Sequence, residues 1–406
     1  MGMTQAQRFF EWHPRAQLFA GTQGIMPPAH PSLTDFQSID AKDTRLALNR
    51  LAQALGTGAG FCLFEGDAPE EYVAPHLSFL TLTGGSSGAP KAILRTQTSW
   101  IASFLVNSDM FLLTAHDTVA VLGRLSHSLA LYGVLEGLHL GLNVQVLDTL
   151  TPSDQRKAMR EHKTSVLYAT PTQLRLLLRT STAPLPDLRL VLCGGGRLDA
   201  TTARGIARRC PNADLRVFYG AAETSFIAMA DTETPSGAVG KAYPGVTFEL
   251  RGTDGEIWVK SPYLFEGYAD ETTPITRDAD GFVSIGELGE CSDDGTLTIK
   301  GRKTRVVNIA DQTVHLEAVE RVIADFDAGG TCAVLARADV TRGHHLVAVL
   351  EGPDDPQRAD AVKRHCRVML SALVAPKTVY FRDTLPLLPS GKTDLRALGD
   401  WLEQQT

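Results

Sequence analysis

The sequence predicts an α/β protein. A large N-terminal domain (1–301), with mostly parallel sheets covered by helices and a small β-rich subdomain at about 237–300, is followed by a small α+β C-terminal domain (302–406). Three observations predict this. From Leu77 to Phe218, short apolar segments rich in β-branched residues alternate with segments of helical periodicity, the pattern of strands buried on both faces. From Gly237 to Lys300 the segments shorten and Gly/Asp turns separate them. After Gly301 a helix–strand pattern of about 100 residues follows, enough for a separate domain.

In chain order, Arg45–Leu55 has helical spacing and stops at Gly56, and Gly60–Phe64 reads as a strand. The alternating region offers strands at Leu77–Leu82, Thr118–Leu122, Val144–Leu147, Ser165–Tyr168, Leu188–Leu192 and Leu215–Phe218. Its helices are expected at Thr98–Leu113, Leu129–Leu140, Ser153–Glu161, Pro171–Leu178 and Asp199–Arg208. The β-rich stretch offers Glu256–Lys260, Gly281–Ile285 and Thr296–Lys300. The last pattern offers helices at Leu316–Phe326 and Arg358–Leu370 with strands at Cys332–Arg337, His345–Leu350 and Val379–Phe381.

The 406 residues are 43% hydrophobic and 21% charged, with 39 basic against 46 acidic residues and a net charge of −7. That balance argues against a general nucleic-acid or anionic-membrane binder. The six cysteines show neither CxxC nor Cys/His ligand spacing, which fits reduced thiols in a cytoplasm. The most apolar helix, Leu129–Leu142, is interrupted by Glu136 and His139, so no membrane span is expected.

Five stretches carry chemistry. Thr83-Gly84-Gly85-Ser86-Ser87-Gly88-Ala89-Pro90-Lys91 follows a strand and combines glycines, hydroxyls and a lysine. Its backbone amides, the Ser86 and Ser87 hydroxyls and the Lys91 charge can wrap a polyphosphate, although a flexible surface connection has the same composition. Pro90 before the lysine, and no Ser or Thr after it, exclude a Walker A loop. Tyr219-Gly220-Ala221-Ala222-Glu223 stands at the carboxyl end of a strand, where open α/β sheets bind ligands. There Tyr219 can stack on a purine and Glu223 can hold Mg²⁺, although for this stretch alone a core tyrosine and a helix-capping glutamate are the commoner explanation. Gly194-Gly195-Gly196 lets a flat ring lie on bare backbone, or is a loose turn. Glu287 can accept ribose hydroxyls and Arg302 can bind ribose or phosphate, while both residue types are common surface charges. In Pro389-Ser390-Gly391-Lys392, composition alone gives the lysine no special role.

Taken together and in this order, these stretches resemble the adenylate-forming superfamily of acyl- and aryl-CoA synthetases, amino-acid adenylation domains and luciferases. Thr83–Lys91 is similar to its phosphate loop, Tyr219–Glu223 to its Tyr-Gly-x-x-Glu motif, and Gly255–Val259 with Gly267-Tyr268 to its Gly-Glu-Leu…Gly-Tyr segment. Gly301-Arg302 resembles the start of its hinge motif and Pro389–Lys392 its final Gly-Lys loop. The resemblance implies a mobile C-terminal domain and two half-reactions. A carboxylate attacks the ATP α-phosphate and releases pyrophosphate, and a thiol of CoA or a carrier-protein phosphopantetheine then displaces AMP.

By this resemblance Thr83, Ser86, Ser87, Gly88 and Lys91 contact the β- and γ-phosphates, and Glu223 holds Mg²⁺. Gly194–Gly196, Tyr219, Gly220 and Ala221 surround adenine, Glu287 and Arg302 bind on the ribose side, and Lys392 bridges substrate carboxylate and α-phosphate. His127 is similar to the gate beside the acyl pocket, and Ser128, where amino-acid-activating members usually carry Asp, favours a plain carboxylic acid. The hinge is expected at Thr304. Asp311 stands where the family's thiol tunnel usually has Gly, which crowds a pantetheine arm. Only 82 residues precede the phosphate loop, so pocket walls are expected to be reduced or completed by a partner. An acyl carrier protein is a separate candidate partner, as the bearer of the accepting thiol. Two other readings stay open: adenylation without thiol transfer, amino-acid activation included, and a non-catalytic nucleotide-binding relative.

Overall fold

The computed structural model describes residues 8–31, 33–66, 73–83, 91–270, 273–327, 331–387 and 393–405. The chain opens with β1 (Leu18–Ala20), β2 (Gln23–Ile25), β3 (Gln37–Asp40), α1 (Thr44–Ala54) and β4 (Phe61–Phe64). Asp43 caps α1 by accepting a hydrogen bond from the Leu46 amide. Next come β5 (Ser78–Thr83) and β6 (Lys91–Thr96), antiparallel, with Thr83 opposite Lys91. The sequence reading passes from the loop directly to the helix at Thr98–Leu113 and so omits β6. The disguise is compositional: Lys91 and Arg95 break the apolar run, yet Ala92, Ile93 and Arg95 are all buried. Thr83–Lys91 therefore connects two hairpin strands.

The alternating region then unfolds as expected: α2 (Gln97–Phe111), β7 (Thr118–Val121), α3 (Ser128–Leu140), β8 (Asn143–Val146), α4 (Pro152–Glu161), β9 (Val166–Ala169), α5 (Pro171–Arg179), β10 (Leu190–Cys193), α6 (Ala200–Arg209) and β11 (Asp214–Ala221). The strands β8, β7, β9, β10 and β11 are parallel neighbours in that order. Every residue of β7, β9 and β10 is buried, because helices cover both faces.

The β-rich stretch contains β12 (Ser225–Ala230), β13 (Ala238–Ala242), β14 (Thr247–Arg251), β15 (Glu256–Lys260), β16 (Gly267–Tyr268), β17 (Thr276–Arg277), β18 (Val283–Cys291) and β19 (Leu297–Arg302). It continues the large sheet: β12 lies antiparallel to β11, and β13 joins β12 to β19. The resulting path is β14-β15-β18-β19-β13-β12-β11-β10-β9-β7-β8-β1-β2, with β17 on β18. A second sheet, β16-β6-β5-β4-β3, carries the Thr83–Lys91 hairpin apart from the parallel strands with which the sequence reading groups it.

The remaining elements are β20 (Val306–Ile309), β21 (Gln312–His315), α7 (Leu316–Phe326), β22 (Cys332–Asp339), β23 (Gly343–Glu351), α8 (Pro356–Met369), β24 (Thr378–Arg382) and α9 (Leu395–Glu403). Strands β22, β23 and β24 form a three-stranded sheet. Val319 and Ile323 of α7 and Val362 of α8 pack with Leu346 and Leu350. Leu398 and Leu402 of α9 pack with Val347 and Val349, so helices cover both faces here too. No helix among the described residues is long and apolar enough to cross a membrane.

Candidate active site

Parallel strands β7, β9, β10 and β11 end at one edge of the large sheet, with Val121 beside Tyr168, Leu192 beside Tyr168 and Cys193 beside Val217. The segments that leave this edge carry His127, Thr170, Gly194–Gly196 and Tyr219, so the topology alone gathers them at the ligand-binding end of the sheet.

Tyr219 lies at a bulge in the β11–β12 pair. Its phenol donates a short hydrogen bond to Glu287 Oε2. Burial first, and the Glu287 carboxylate second, push the phenol well above the ordinary tyrosine range. Glu287 sits directly across from Arg302 in the β18–β19 pair, and Arg302 Nε lies 3.6 Å from Glu287 Oε1. The structure thus unites Tyr219, Glu287 and Arg302. Gly220 follows Tyr219 for a steric reason: a Cβ there would lie 1.7 Å from the Ser225 carbonyl oxygen.

Glu223, one turn further on, has a separate partner. The Tyr268 phenol donates to Glu223 Oε1 at 3.0 Å, and the Lys91 ammonium lies over the Tyr268 ring at 5.2 Å from its centroid. Burial and then Glu223 raise the Tyr268 pKa, which keeps the phenol a donor. The loop is braced from behind: Thr224, fully buried, accepts from the Ala221 amide at 3.1 Å, and the Phe265 amide donates to the Glu223 carbonyl at 2.9 Å.

No group of three His, Cys, Asp or Glu side chains among the described residues could hold a metal ion, so Glu223 is not part of a protein-caged site. A single carboxylate suits Mg²⁺, which keeps waters and takes its other oxygens from phosphates, and does not suit a protein-caged ion. The donor set therefore fits Mg²⁺ carried in with a nucleotide.

The glycine run has a more local explanation than a flat ligand at its first member. A Cβ on Gly194 would lie 2.0 Å from Phe218 Cζ, so the Phe218 ring already occupies that side. Gly195 has φ +81°, a left-handed conformation, and Gly196 faces Pro171 at ordinary contact distance. Arg197, next in line, donates from Nη2 to both carboxylate oxygens of Asp325 of α7, at 2.8 and 3.0 Å. Further contacts tie α7 to β19: Glu317 Oε2 accepts the Arg302 amide at 3.1 Å, and Arg321 donates to the carbonyls of Ile299 and Lys300.

His127 is the N-cap residue of α3 and is exposed. The neighbouring Ser126 hydroxyl donates to Glu65 at 2.9 Å. Among the described residues no hydrogen bond or ion pair joins His127 to the Tyr219 or Glu223 groups, although it shares their edge of the sheet. Thr304 lies in a 3₁₀ turn, Lys303–Arg305, whose ends are anchored by Lys303 on Glu256 at 3.0 Å and Arg305 on Glu320 at 2.9 Å. Asp311 is exposed in the two-residue turn between β20 and β21, after Ala310 at φ +51°. Ser86, Ser87, Gly88 and Lys392 lie outside the described residues, as does the Thr83 side chain. The residues that flank 388–392 are described: Leu387 and Thr393 form an isolated antiparallel bridge, and Asp394 caps α9.

Two residues of this region escape the sequence reading. Tyr268 belongs to a quoted motif, but its role depends on β16 pairing with β6. Arg95 is 1% exposed and bonds the backbone behind Glu223; the one available signal is an arginine directly after the apolar run Ala92-Ile93-Leu94.

Comparison with known proteins identifies the family. Residues 25–269 match the family model described as AMP-binding enzyme, and residues 318–392 match the AMP-binding enzyme C-terminal domain. The uncharacterized acyl–CoA ligase YhfT of Bacillus subtilis (strain 168) is 29% identical over 81% of this chain and 69% of its own length. A Staphylococcus aureus (strain COL) protein provisionally named long chain fatty acid–CoA ligase VraA is 30% identical over 78% of this chain and 69% of its own. Among solved structures, o-succinylbenzoate CoA synthetase (MenE) from Bacillus subtilis, in complex with the acyl-adenylate OSB-AMP, superposes with a TM-score of 0.78. It is 17% identical, with 94% of each chain covered, and so speaks for the fold. By sequence and by fold, the chain belongs to the AMP-binding enzyme family.

Proposed function

We propose that this chain is an AMP-forming acid–thiol ligase. A carboxylate oxygen bonds to the ATP α-phosphorus as the bond to pyrophosphate breaks; a thiol sulfur then bonds to the acyl carbon as AMP leaves. Its substrates are ATP with Mg²⁺, a small carboxylic acid, and CoA or a carrier-protein phosphopantetheine. The observation that carries this reading is the pair of tyrosine–carboxylate bonds, Tyr219 to Glu287 and Tyr268 to Glu223, set four residues apart along one loop at the carboxyl edge of the sheet.

In this reading Glu287 and Arg302 bind the ribose side, Tyr219 with Gly195, Gly196, Gly220 and Ala221 lines the base, and Glu223 faces the phosphates. Mg²⁺ bound there supplies positive charge against the phosphate oxygens. Lys91, with Thr83, Ser86, Ser87 and Gly88, grips the departing pyrophosphate. Lys392 neutralises the repulsion between the substrate carboxylate and the α-phosphate, because two anions meet only if fixed cations offset their charge. His127 borders the acid, Thr304 is the hinge, and Asp311 lies on the thiol path. The unit from 302 to 406 turns about that hinge, so that one cavity serves both half-reactions. All six cysteines are unpaired, which supports a cytoplasmic setting.

The test is ATP–pyrophosphate exchange across a panel of aryl, fatty and amino acids, followed by CoA with the best acid. The reading expects exchange with a plain carboxylic acid and a thioester on adding CoA. Measurable ATP binding with no exchange on any acid contradicts it.

A further inference from the structure

One buried group near the site is not used by the chemistry above. Arg95 is 1% exposed, in a strand whose neighbours Ala92 and Ile93 are also buried. Its Nε donates to the Ala222 carbonyl at 3.2 Å, its Nη2 makes a shorter bond to the same oxygen, and its Nη1 donates to the Tyr263 carbonyl at 2.8 Å. Ala222 immediately precedes Glu223, and Tyr263 lies in the segment whose Phe265 amide holds the Glu223 carbonyl. A second amide of that segment, Glu266, donates to the Leu94 carbonyl at 2.9 Å. One guanidinium therefore ties together β6, the loop bearing Glu223 and the segment leading to Tyr268.

A buried arginine is a poor choice for stability alone, because desolvating its charge costs several kcal/mol and apolar side chains of similar volume commonly serve as well. Arg95 offsets that cost with carbonyl dipoles and with the Glu223 and Glu266 carboxylates, which act against the downward pull of burial that brings its pKa to about 10. It thus stays charged at neutral pH. Its planar fork spans two carbonyls at fixed separation, which a lysine does not.

We propose that Arg95 is the positioning residue of the Glu223 loop: by fixing the Ala222 and Tyr263 carbonyls, it sets the direction in which the Glu223 carboxylate faces the nucleotide phosphates. The proposal rests on the reading of Glu223 as the Mg²⁺ ligand. Arg95 touches no substrate, and its effect passes through Glu223.

The test uses the full chain with Arg95→Met and, should that variant fail to fold, Arg95→Lys, whose single ammonium cannot bridge both carbonyls. Hydrogen exchange read at Ala221–Thr224 needs neither metal nor turnover. It is expected to quicken ~10-fold or more in either variant, with β23 unchanged, as local opening predicts. By calorimetry, the gain in ATP affinity on replacing EDTA with Mg²⁺ is expected to fall ~10-fold, while affinity in EDTA moves less than ~3-fold, the split expected of a group acting through the metal ligand. Adding Glu223→Gln to the Arg95 variant is expected to cause no further loss. Unchanged exchange at 221–224, a wild-type Mg²⁺ gain in Arg95→Lys, or additive losses in the double variant each overturn the proposal. A Glu223→Gln protein that keeps the full Mg²⁺ gain overturns instead the metal reading of Glu223, and hydrogen exchange then still decides whether Arg95 holds the loop.

Discussion

Tyr219 donates its phenolic hydrogen to Glu287, 68 residues later, and so joins the end of the parallel strands to the β18–β19 pair. That bond consumes one Glu287 oxygen and leaves the other beside Arg302. If the free oxygen receives the ribose hydroxyls, Glu287→Ala weakens ATP binding by ~10- to 100-fold, the usual loss on removing hydrogen bonds to a charged group. The same variant should cease to distinguish ATP from 2′-deoxy-ATP, and Tyr219→Phe should lose less than Glu287→Ala. Calorimetric titration of both nucleotides checks this; undiminished discrimination in Glu287→Ala removes the ribose role.

Lys392 is assigned to the adenylation step and not to nucleotide binding. Lys392→Ala should lower pyrophosphate exchange by ~10³-fold or more, a loss of transition-state charge stabilisation, while ATP affinity changes by less than ~3-fold. Exchange within ~10-fold of wild type in that variant removes the lysine from the chemistry.

Asp311 is exposed at the tip of the β20–β21 turn and has no hydrogen bond to a described residue, so its replacement should cost the fold little. Asp311→Gly should leave exchange untouched and accelerate thioester formation by ~10-fold if its carboxylate obstructs a pantetheine arm, about 1.4 kcal/mol of barrier. An unchanged or slower thiol step, measured by single turnover of preformed adenylate, excludes that obstruction.

Glu136 lies wholly buried in α3, accepting from the Tyr168 phenol at 2.5 Å and the Asn107 amide at 2.8 Å. Burial pushes its carboxyl up to about 7 from an ordinary value near 4.5. The folded protein therefore holds a proton that the unfolded chain releases, so this group's contribution is full below about pH 4.5, declines as pH rises and levels off above about 7. The total is about 3 kcal/mol by that linkage. Glu136→Gln should lose most of this slope, read as urea midpoints from pH 4.5 to 8; an identical slope contradicts it.

The alternating core was legible because β7, β9 and β10 are buried on both faces and so are apolar throughout, bounded by amphipathic helices. β6 was not, because the charged side chains of Lys91 and Arg95 interrupt the strand pattern that their neighbours keep. The same cause hid the second sheet: without β6, nothing in the sequence separates β5 from the parallel strands. Site residues that belong to a short motif, Tyr219 and Glu223, were visible as candidates. Their partners were not, since Tyr219–Glu287, Tyr268–Glu223 and Arg95–Ala222 join segments brought together only by sheet pairing. Gly194 illustrates the converse: its bareness is legible, but the ring it accommodates is Phe218 of the protein itself.

The central claim is that ATP is cleaved between its α- and β-phosphates to activate a carboxylate for a thiol. Following ATP labelled in the α-phosphate through turnover with the best acid and CoA tests it most directly. The account predicts one labelled AMP and one pyrophosphate for each thioester formed, with labelled acyl-adenylate accumulating when CoA is withheld. Labelled ADP with inorganic phosphate, or thioester formed without AMP, would contradict it.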